Sequence, residues 1–286
     1  MAPRPDPVHL ASDLRVADAG GDMDPPAAGG WSRAELVSIL GAEPAETWRS
    51  VPGRVTFPWP QGVAAASSVS RVVVKRFDRG TGWRSRLAKD PAQCEFRALH
   101  GLRGLGIPVP APVLHAWSPA LGRSIVIMGE VPHRRSLRQA IAADPDPVAR
   151  AKAEALQLAE LAARLHGAGW YHRDLYLQHV VEHEDDGSLV LLDLGRARWE
   201  RSPRVRWFQK DLSALHVSGG VEYREALLEA LLGEYFRLRR LPDADLAGWK
   251  RAIRRRSARV LARRPRHVDP GTREGPAAPQ GGPPLR

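Results

Sequence analysis

Residues 170–195 read W-Y-H-R-D-L-Y-L-Q-H-V-V-E-H-E-D-D-G-S-L-V-L-L-D-L-G, and the fold is decided there. Two short apolar runs, Leu177 to Val181 and Leu189 to Leu192, are joined through Asp185-Asp186-Gly187-Ser188, whose turn chemistry predicts a hairpin. Asp174 precedes the first run and Asp193 follows the second. Because the intervening chain folds back on itself, both carboxylates are expected at one end of the hairpin, facing a single cleft. Such a pair suits phosphoryl transfer: one carboxylate orients or deprotonates an acceptor hydroxyl, and the other holds the magnesium ion that bridges the phosphates of ATP.

Upstream, Ala151, Ala155, Leu158, Ala162 and Leu165 lie on one face of a long helix from Val148 to His166 that Gly167 or Gly169 can close. Trp31 to Leu40 predicts a short helix, after which Pro and Gly interrupt the chain until Arg71 to Phe77 (RVVVKRF), a buried strand carrying Lys75. Asp90-Pro91 supplies an N-cap and first-turn proline for a helix through Leu102, and Ser124 to Met128 predicts a second buried strand. Further helices are expected at Asp211 to Ser218, Glu222 to Leu238 and Asp243 to Leu261. Strands first and helices later make this an α+β chain.

A lysine in a buried strand needs an acid opposite it to stay ionised, and Glu95, twenty residues on, is the best-placed partner. The blander alternatives are an exposed edge strand guarded by Lys75 and a solvated Glu95 on an amphipathic helix.

His172-Arg173-Asp174-Leu175 and Asp193-Leu194-Gly195 resemble the catalytic loop H-R-D-L-x-x-x-N and the metal motif D-F-G of the protein-kinase superfamily. The resemblance implies a two-lobed fold, with a small antiparallel sheet in the N-lobe and a reduced helical C-lobe. It makes Asp174 and Arg173 catalytic, with Lys75 on the ATP phosphates held by Glu95, and Asp193 on Mg²⁺. Adenine would hydrogen-bond the linker at Glu130 and Val131. His179 stands where the pattern has a metal-binding asparagine, and is read either as a metal ligand or as a packed structural histidine. His172 would support the loop. No G-x-G-x-x-G precedes Lys75: residues 51–70 hold only Gly53 and Gly62, with the small residues Ala64 to Ser68 as a substitute phosphate cover.

A narrower set, H-R-D-L-Y-L-Q-H at 172–179, D-L-G-R-A-R at 193–198 and R-W-F-Q-K-D-L-S-A-L at 206–215, is similar to the bacterial lipopolysaccharide kinase family. In that family the terminal His is ordinary, and Asp211 would brace the catalytic loop from beneath. The resemblance implies ATP and Mg²⁺ as cofactors and a heptose or Kdo hydroxyl of the lipopolysaccharide core as acceptor, at the inner face of the cytoplasmic membrane. Gly195 and Asp211 are too close for an activation segment, which favours a sugar over a peptide. The alternatives are an atypical protein or small-molecule kinase, and a nucleotide-binding pseudokinase scaffold.

Composition bounds the rest. The 286 residues, 43% hydrophobic, suffice for two lobes. One cysteine, Cys94, excludes an internal disulfide and fits a cytoplasmic setting. The net charge is +11, but nine Lys or Arg and no acid fall between Lys250 and Arg266, leaving +2 elsewhere; no specific nucleic acid partner is expected. That basic helix, 249–268, is read either as lying on an anionic membrane surface or as docked on the C-lobe. The expected organisation is a disordered tail over 1–30, an N-lobe over 31–130, a C-lobe over 131–268 and a second tail over 269–286.

Overall fold

A computed structural model describes residues 14–18, 21–23, 31–41, 43–59, 71–81, 89–133 and 135–263. They form two compact units: one holds the residues up to His100 together with Ala111–Glu130, the other Gly101–Pro110 and the chain from Val131 onward.

The first unit is built on a seven-stranded antiparallel sheet. Its strands are β1 (Arg15–Asp18), β2 (Gly21–Met23), β3 (Arg49–Val51), β4 (Arg54–Trp59), β5 (Val72–Asp78), β6 (Pro112–Ser118) and β7 (Arg123–Gly129), in the order β2-β1-β6-β7-β5-β4-β3. Helix α1 (Arg33–Gly41) buries Leu36, Ile39 and Leu40 in a cluster with Phe57, Val72, Val74, Ile125 and Ile127. Each such side chain contributes about 1.5–3 kcal/mol on burial. Helix α2 (Pro91–Gly104) is capped by Asp90, whose Oδ1 accepts from the Ala92 N–H at 2.9 Å. Alternation along β5 turns Val72 and Val74 to the α1 side and Lys75 to the other.

Strands β1 and β2 lie in the stretch expected to be a disordered tail. Leu14 and Val16, spaced at the period of a strand, are buried in the core cluster, a signal too short to stand out among the flanking Pro, Gly and Asp. Strands β4 and β6 are masked in the sequence by their prolines, and β3 by its length of three residues. Pro112 is the first residue of β6; Pro58 sits in β4 beyond Thr56, where β3 stops pairing, so its missing N–H costs no ladder bond on that side.

In the second unit, α3 (Leu137–Ala142) begins with a Ser136/Gln139 capping box, and α4 (Pro147–Gly167) begins with Asp146 as N-cap and Pro147 in its first turn. There follow β8 (Trp170–Tyr171), the hairpin β9 (Val180–Glu182) and β10 (Leu189–Leu191), then β11 (Arg198–Trp199), paired with β8. The expected strand at Leu177 to Val181 is half a strand: Leu177–His179 is a 3-10 turn, fixed by the Leu177 N–H donating to Ser218 Oγ at 2.9 Å. Helices α5 (Val205–Ser218), α6 (Arg224–Arg239) and α7 (Asp243–Arg263) complete the unit.

The apolar face of α7 is spent inside the protein. Trp249 packs against Tyr235 and Phe236, with ring centroids 5.9 and 5.3 Å apart, and Ile253 and Ser257 are buried. Lys250 and Arg254 pair with Glu229 and Glu225 of α6. Of the two readings of this helix, docking on the C-lobe therefore holds for its apolar stripe, which is not available to insert in a membrane. Arg251, Arg255, Arg256 and Arg259 remain exposed. Residues 264–286, with the end of the basic stretch and the second expected tail, lie outside the described residues. Among the described residues no helix is long and apolar enough to cross a membrane.

Candidate active site

In the first unit, Lys75 Nζ donates to Glu95 Oε1 at 2.5 Å, joining β5 to α2. The lysine side chain is 12% exposed and the glutamate 1%, so this is a buried ion pair rather than an edge guard and a solvated acid. Glu95 Oε2 is buried without a hydrogen-bond partner, so the carboxylate is committed to the one oxygen that holds the lysine. Beside the pair, Asp90 ties the start of α2 to the sheet: its Oδ2 lies 3.0 Å from His115 Nε2, and its Oδ1 accepts from Ser124 Oγ at 2.7 Å. The Glu130 N–H is used, donating to the Arg71 carbonyl at 2.9 Å, so of its backbone groups only the carbonyl is open to a ligand. The Val131 carbonyl accepts from His133 Nδ1 at 2.7 Å. A cavity of about 700 Å³ lined by Phe57, Trp59, Val72 and Glu130 opens on the sheet face away from Lys75. β3 and β4 are joined by Pro52-Gly53 alone, with Gly53 at φ 77°. Gly62 and Ala64 to Ser68 lie outside the described residues.

In the second unit the loop from His172 to His179 is held by a fully buried aspartate. Asp211, on α5, accepts from the His172 N–H through Oδ2 at 2.6 Å and from the Arg173 N–H through Oδ1 at 2.7 Å. Those two bonds fix Arg173 in the left-handed region, φ 73°, a conformation that costs a non-glycine residue about 1–3 kcal/mol. Burial pushes the His166 pKa down, so its ring is neutral. Tyr235 O–H then donates to His166 Nδ1 at 2.8 Å, and His166 Nε2–H donates to Asp211 Oδ2 at 3.4 Å. Neither His166 nor Tyr235 could be found from the motif, since they come from the C-terminal ends of α4 and α6.

Two histidines bring Asp174 and Asp193 together. His172 is likewise pushed toward its neutral form by burial; its Nε2–H donates to the Leu192 carbonyl at 3.0 Å, while its Nδ1 accepts from the Asp174 N–H at 3.4 Å. His179 Nδ1–H donates to the Asp174 carbonyl at 2.8 Å, and its Nε2 lies 3.8 Å from Asp193 Oδ2. Asp193 is itself left-handed, φ 57°, and opens a 3-10 turn, Leu194–Arg196. That turn returns Arg196 to Asp174, Nη1 donating to Oδ1 at 3.0 Å. Both carboxylates are 21% exposed, open enough to meet a ligand. Arg173 points elsewhere: its guanidinium lies over the Trp207 ring, 5.6 Å from the centroid, so its part is to shape the loop.

The donor set fits a magnesium ion shared with phosphate. Among the described residues no three His, Cys, Asp or Glu side chains gather into a metal cluster. Magnesium is ordinarily held by one or two carboxylates plus substrate phosphates, not by an all-protein cage.

The sequence model of the lipopolysaccharide kinase (Kdo/WaaP) family matches residues 71–235, a span that contains Lys75, Glu95, Asp174, Asp193 and Asp211. The chain is 28% identical over 222 residues to the lipopolysaccharide core heptose(I) kinase WaaP of Pseudomonas aeruginosa, covering 68% of this chain and 81% of that one. It is 31% identical over 139 residues to the enzyme of the same name from Escherichia coli, covering 44% and 52%. Among solved structures, that of WaaP in complex with acyl carrier protein superposes with a TM-score of 0.56 at 24% identity, over 79% of this chain and 91% of the other, which establishes the shared fold.

Proposed function

The chain belongs to the lipopolysaccharide kinase (Kdo/WaaP) family and is a kinase; on that premise we propose that it transfers the γ-phosphoryl group of ATP to a hydroxyl of a lipopolysaccharide core sugar, heptose or Kdo. The observation that carries the choice of a sugar over a peptide is the chain after Gly195. It makes one 3-10 turn, pairs Arg198 and Trp199 with β8, and enters α5 at Val205, leaving no platform for an extended peptide.

In the proposed reaction Asp174 accepts a hydrogen bond from the acceptor hydroxyl and takes its proton. The hydroxyl oxygen forms a bond to the γ-phosphorus as the bond to the β,γ-bridging oxygen breaks, and ADP leaves with that electron pair. Lys75, kept in place by Glu95, neutralises the α and β phosphates. Asp193 would hold Mg²⁺, which would supply charge neutralisation to the phosphates. His179 acts first as a brace, since its Nδ1 is engaged by the Asp174 carbonyl, and Nε2 is the nitrogen it can turn to the ion. The adenine meets the Glu130 carbonyl and the Val131 backbone.

A lipid-linked acceptor places the enzyme at a membrane surface. With the apolar stripe of α7 buried, attachment rests on charge alone: Arg251, Arg255, Arg256 and Arg259 are exposed, and a basic side chain near anionic headgroups contributes about 1 kcal/mol. The test is Asp174→Asn. It is expected to abolish phosphoryl transfer to core oligosaccharide and leave ATP affinity within about twofold, the residue being bound to the acceptor and not to the nucleotide. Turnover that survives the substitution overturns the assignment.

A further inference from the structure

We propose that Arg196 is a catalytic residue, an arginine supplied in cis that neutralises the phosphoryl group in transit. The inference rests on the reading of Asp174 as the acceptor's base.

It starts from the side-chain cations beside Asp174. Phosphoryl transfer proceeds through a loose transition state with negative charge spread over three equatorial oxygens, and a side-chain cation beside the group adds to the neutralisation that Mg²⁺ would supply. In the catalytic loop from His172 to His179 the only permanent cation is Arg173. Its side chain lies over Trp207, and its Nε is buried without a hydrogen bond. The loop therefore offers no cation to the transferring group, and His172 and His179 are committed to the Leu192 and Asp174 carbonyls.

Arg196 meets the need by position. It lies one 3-10 turn after Asp193, so the residue that holds the metal also fixes the arginine. Its Nη1 donates to Asp174 Oδ1 at 3.0 Å, while its side chain is 58% exposed. The guanidinium is thus anchored at one edge and open at the others, and a planar fork with five donors can hold a carboxylate and a phosphoryl oxygen together. The acceptor hydroxyl must sit about 2.6–3.2 Å from Asp174, and the phosphorus about 3–3.5 Å beyond it. A guanidinium in contact with Asp174 therefore flanks the path of the phosphoryl group. Lys210, on α5, is the competing cation: it is half-buried and close enough to Asp174 to interact with it electrostatically, so the test includes it. In the transfer itself Arg196 exchanges no proton: Asp174 takes the hydroxyl proton, the new P–O bond forms as the old one breaks, and Arg196 stabilises the oxygens between them.

The test compares wild type, Arg196→Ala, Arg196→Lys and Lys210→Ala in two assays. The first measures binding of Mg²⁺ and ADP with and without aluminium fluoride, which mimics the phosphoryl group in transit and needs no acceptor. Wild type and Lys210→Ala are expected to bind ADP at least about 10²-fold more tightly with the fluoride; Arg196→Ala is expected to lose that gain while its affinity for ADP alone stays within twofold. The second measures transfer to core oligosaccharide, where Arg196→Ala is expected to lower kcat by about 10³-fold with little change in acceptor KM, the scale of arginines that act on phosphoryl groups. Arg196→Lys, keeping the charge without the fork, is expected to fall between. The proposal is overturned if aluminium fluoride tightens binding equally in Arg196→Ala, if it tightens nothing in wild type, or if the substitution acts on acceptor KM alone. Should no core sugar be phosphorylated by the wild type, the acceptor assignment fails, and the fluoride assay still decides the role of Arg196.

Discussion

Replacing Asp211 by asparagine tests whether the catalytic loop is held in a strained shape by one buried carboxylate. In the native protein Asp211 satisfies the His172 and Arg173 amides with one oxygen each and receives the His166 N–H as well. Asparagine keeps the volume but has a single acceptor oxygen. Whichever way the amide turns, its NH₂ faces a backbone N–H, leaving one buried donor unpaired and making the surviving bond a neutral one. An orphaned buried donor costs about 1–3 kcal/mol, and losing the charge on the remaining bond costs about 1 kcal/mol more, so the expected loss is roughly 2–4 kcal/mol. Arg173, at φ 73°, is then free to shed its left-handed strain, about 1–3 kcal/mol, and carries Asp174 out of line. A misplacement near 1 Å costs on the order of 10²-fold in turnover. Urea denaturation gives the first quantity and kcat for phosphoryl transfer the second. A denaturation midpoint equal to that of wild type, or turnover within twofold of it, would refute the account of the loop.

Lys75→Met leaves Glu95 buried and unpaired, and is expected to destabilise the protein by about 3–5 kcal/mol while abolishing turnover. Adding Glu95→Leu should restore the denaturation midpoint but not activity; failure to recover stability would show that the pair is not the burden assigned to it. Burial lowers the pKa of His166 and His172 below the unfolded value of about 6.5, so the stability they contribute is complete above that pH and is lost as pH falls through the window below it. Denaturation midpoints from pH 8 to 5 should decline below about 6.5, and a profile flat to pH 5 contradicts the neutral assignment. Charge reversal of Arg251, Arg255 and Arg259 to Glu is expected to remove binding to vesicles containing anionic lipid while leaving turnover on a soluble core oligosaccharide unchanged; binding that persists would place the membrane contact elsewhere.

The sequence was most legible where chemistry and local pattern coincide. Lys75 and Glu95 could be paired from a buried strand and the helix after it, because a buried lysine demands an acid. Asp174 and Asp193 were joined by the turn at Asp185 to Ser188, and the Kdo/WaaP family match spans both. What stayed hidden depends on long-range geometry. β1 and β2 gain their strand structure from β6, nearly a hundred residues later, and Pro58 and Pro112 masked strands whose edge and first positions tolerate proline. The His166 and Tyr235 relay is invisible in one dimension, since two helices must pack before the rings meet Asp211. Arg196 stood in the quoted motif, but its role rests on the left-handed turn at Asp193, which no spacing announces.

The central claim is most directly tested by supplying ATP labelled at the γ position, with Mg²⁺, to the purified protein and following label into lipopolysaccharide core acceptors bearing heptose or Kdo, with Asp193→Ala in parallel. Label appearing on a sugar hydroxyl with wild type and not with the variant is the predicted result. Equal labelling by both proteins, or nucleotide binding by the wild type without transfer to any core sugar, would contradict it.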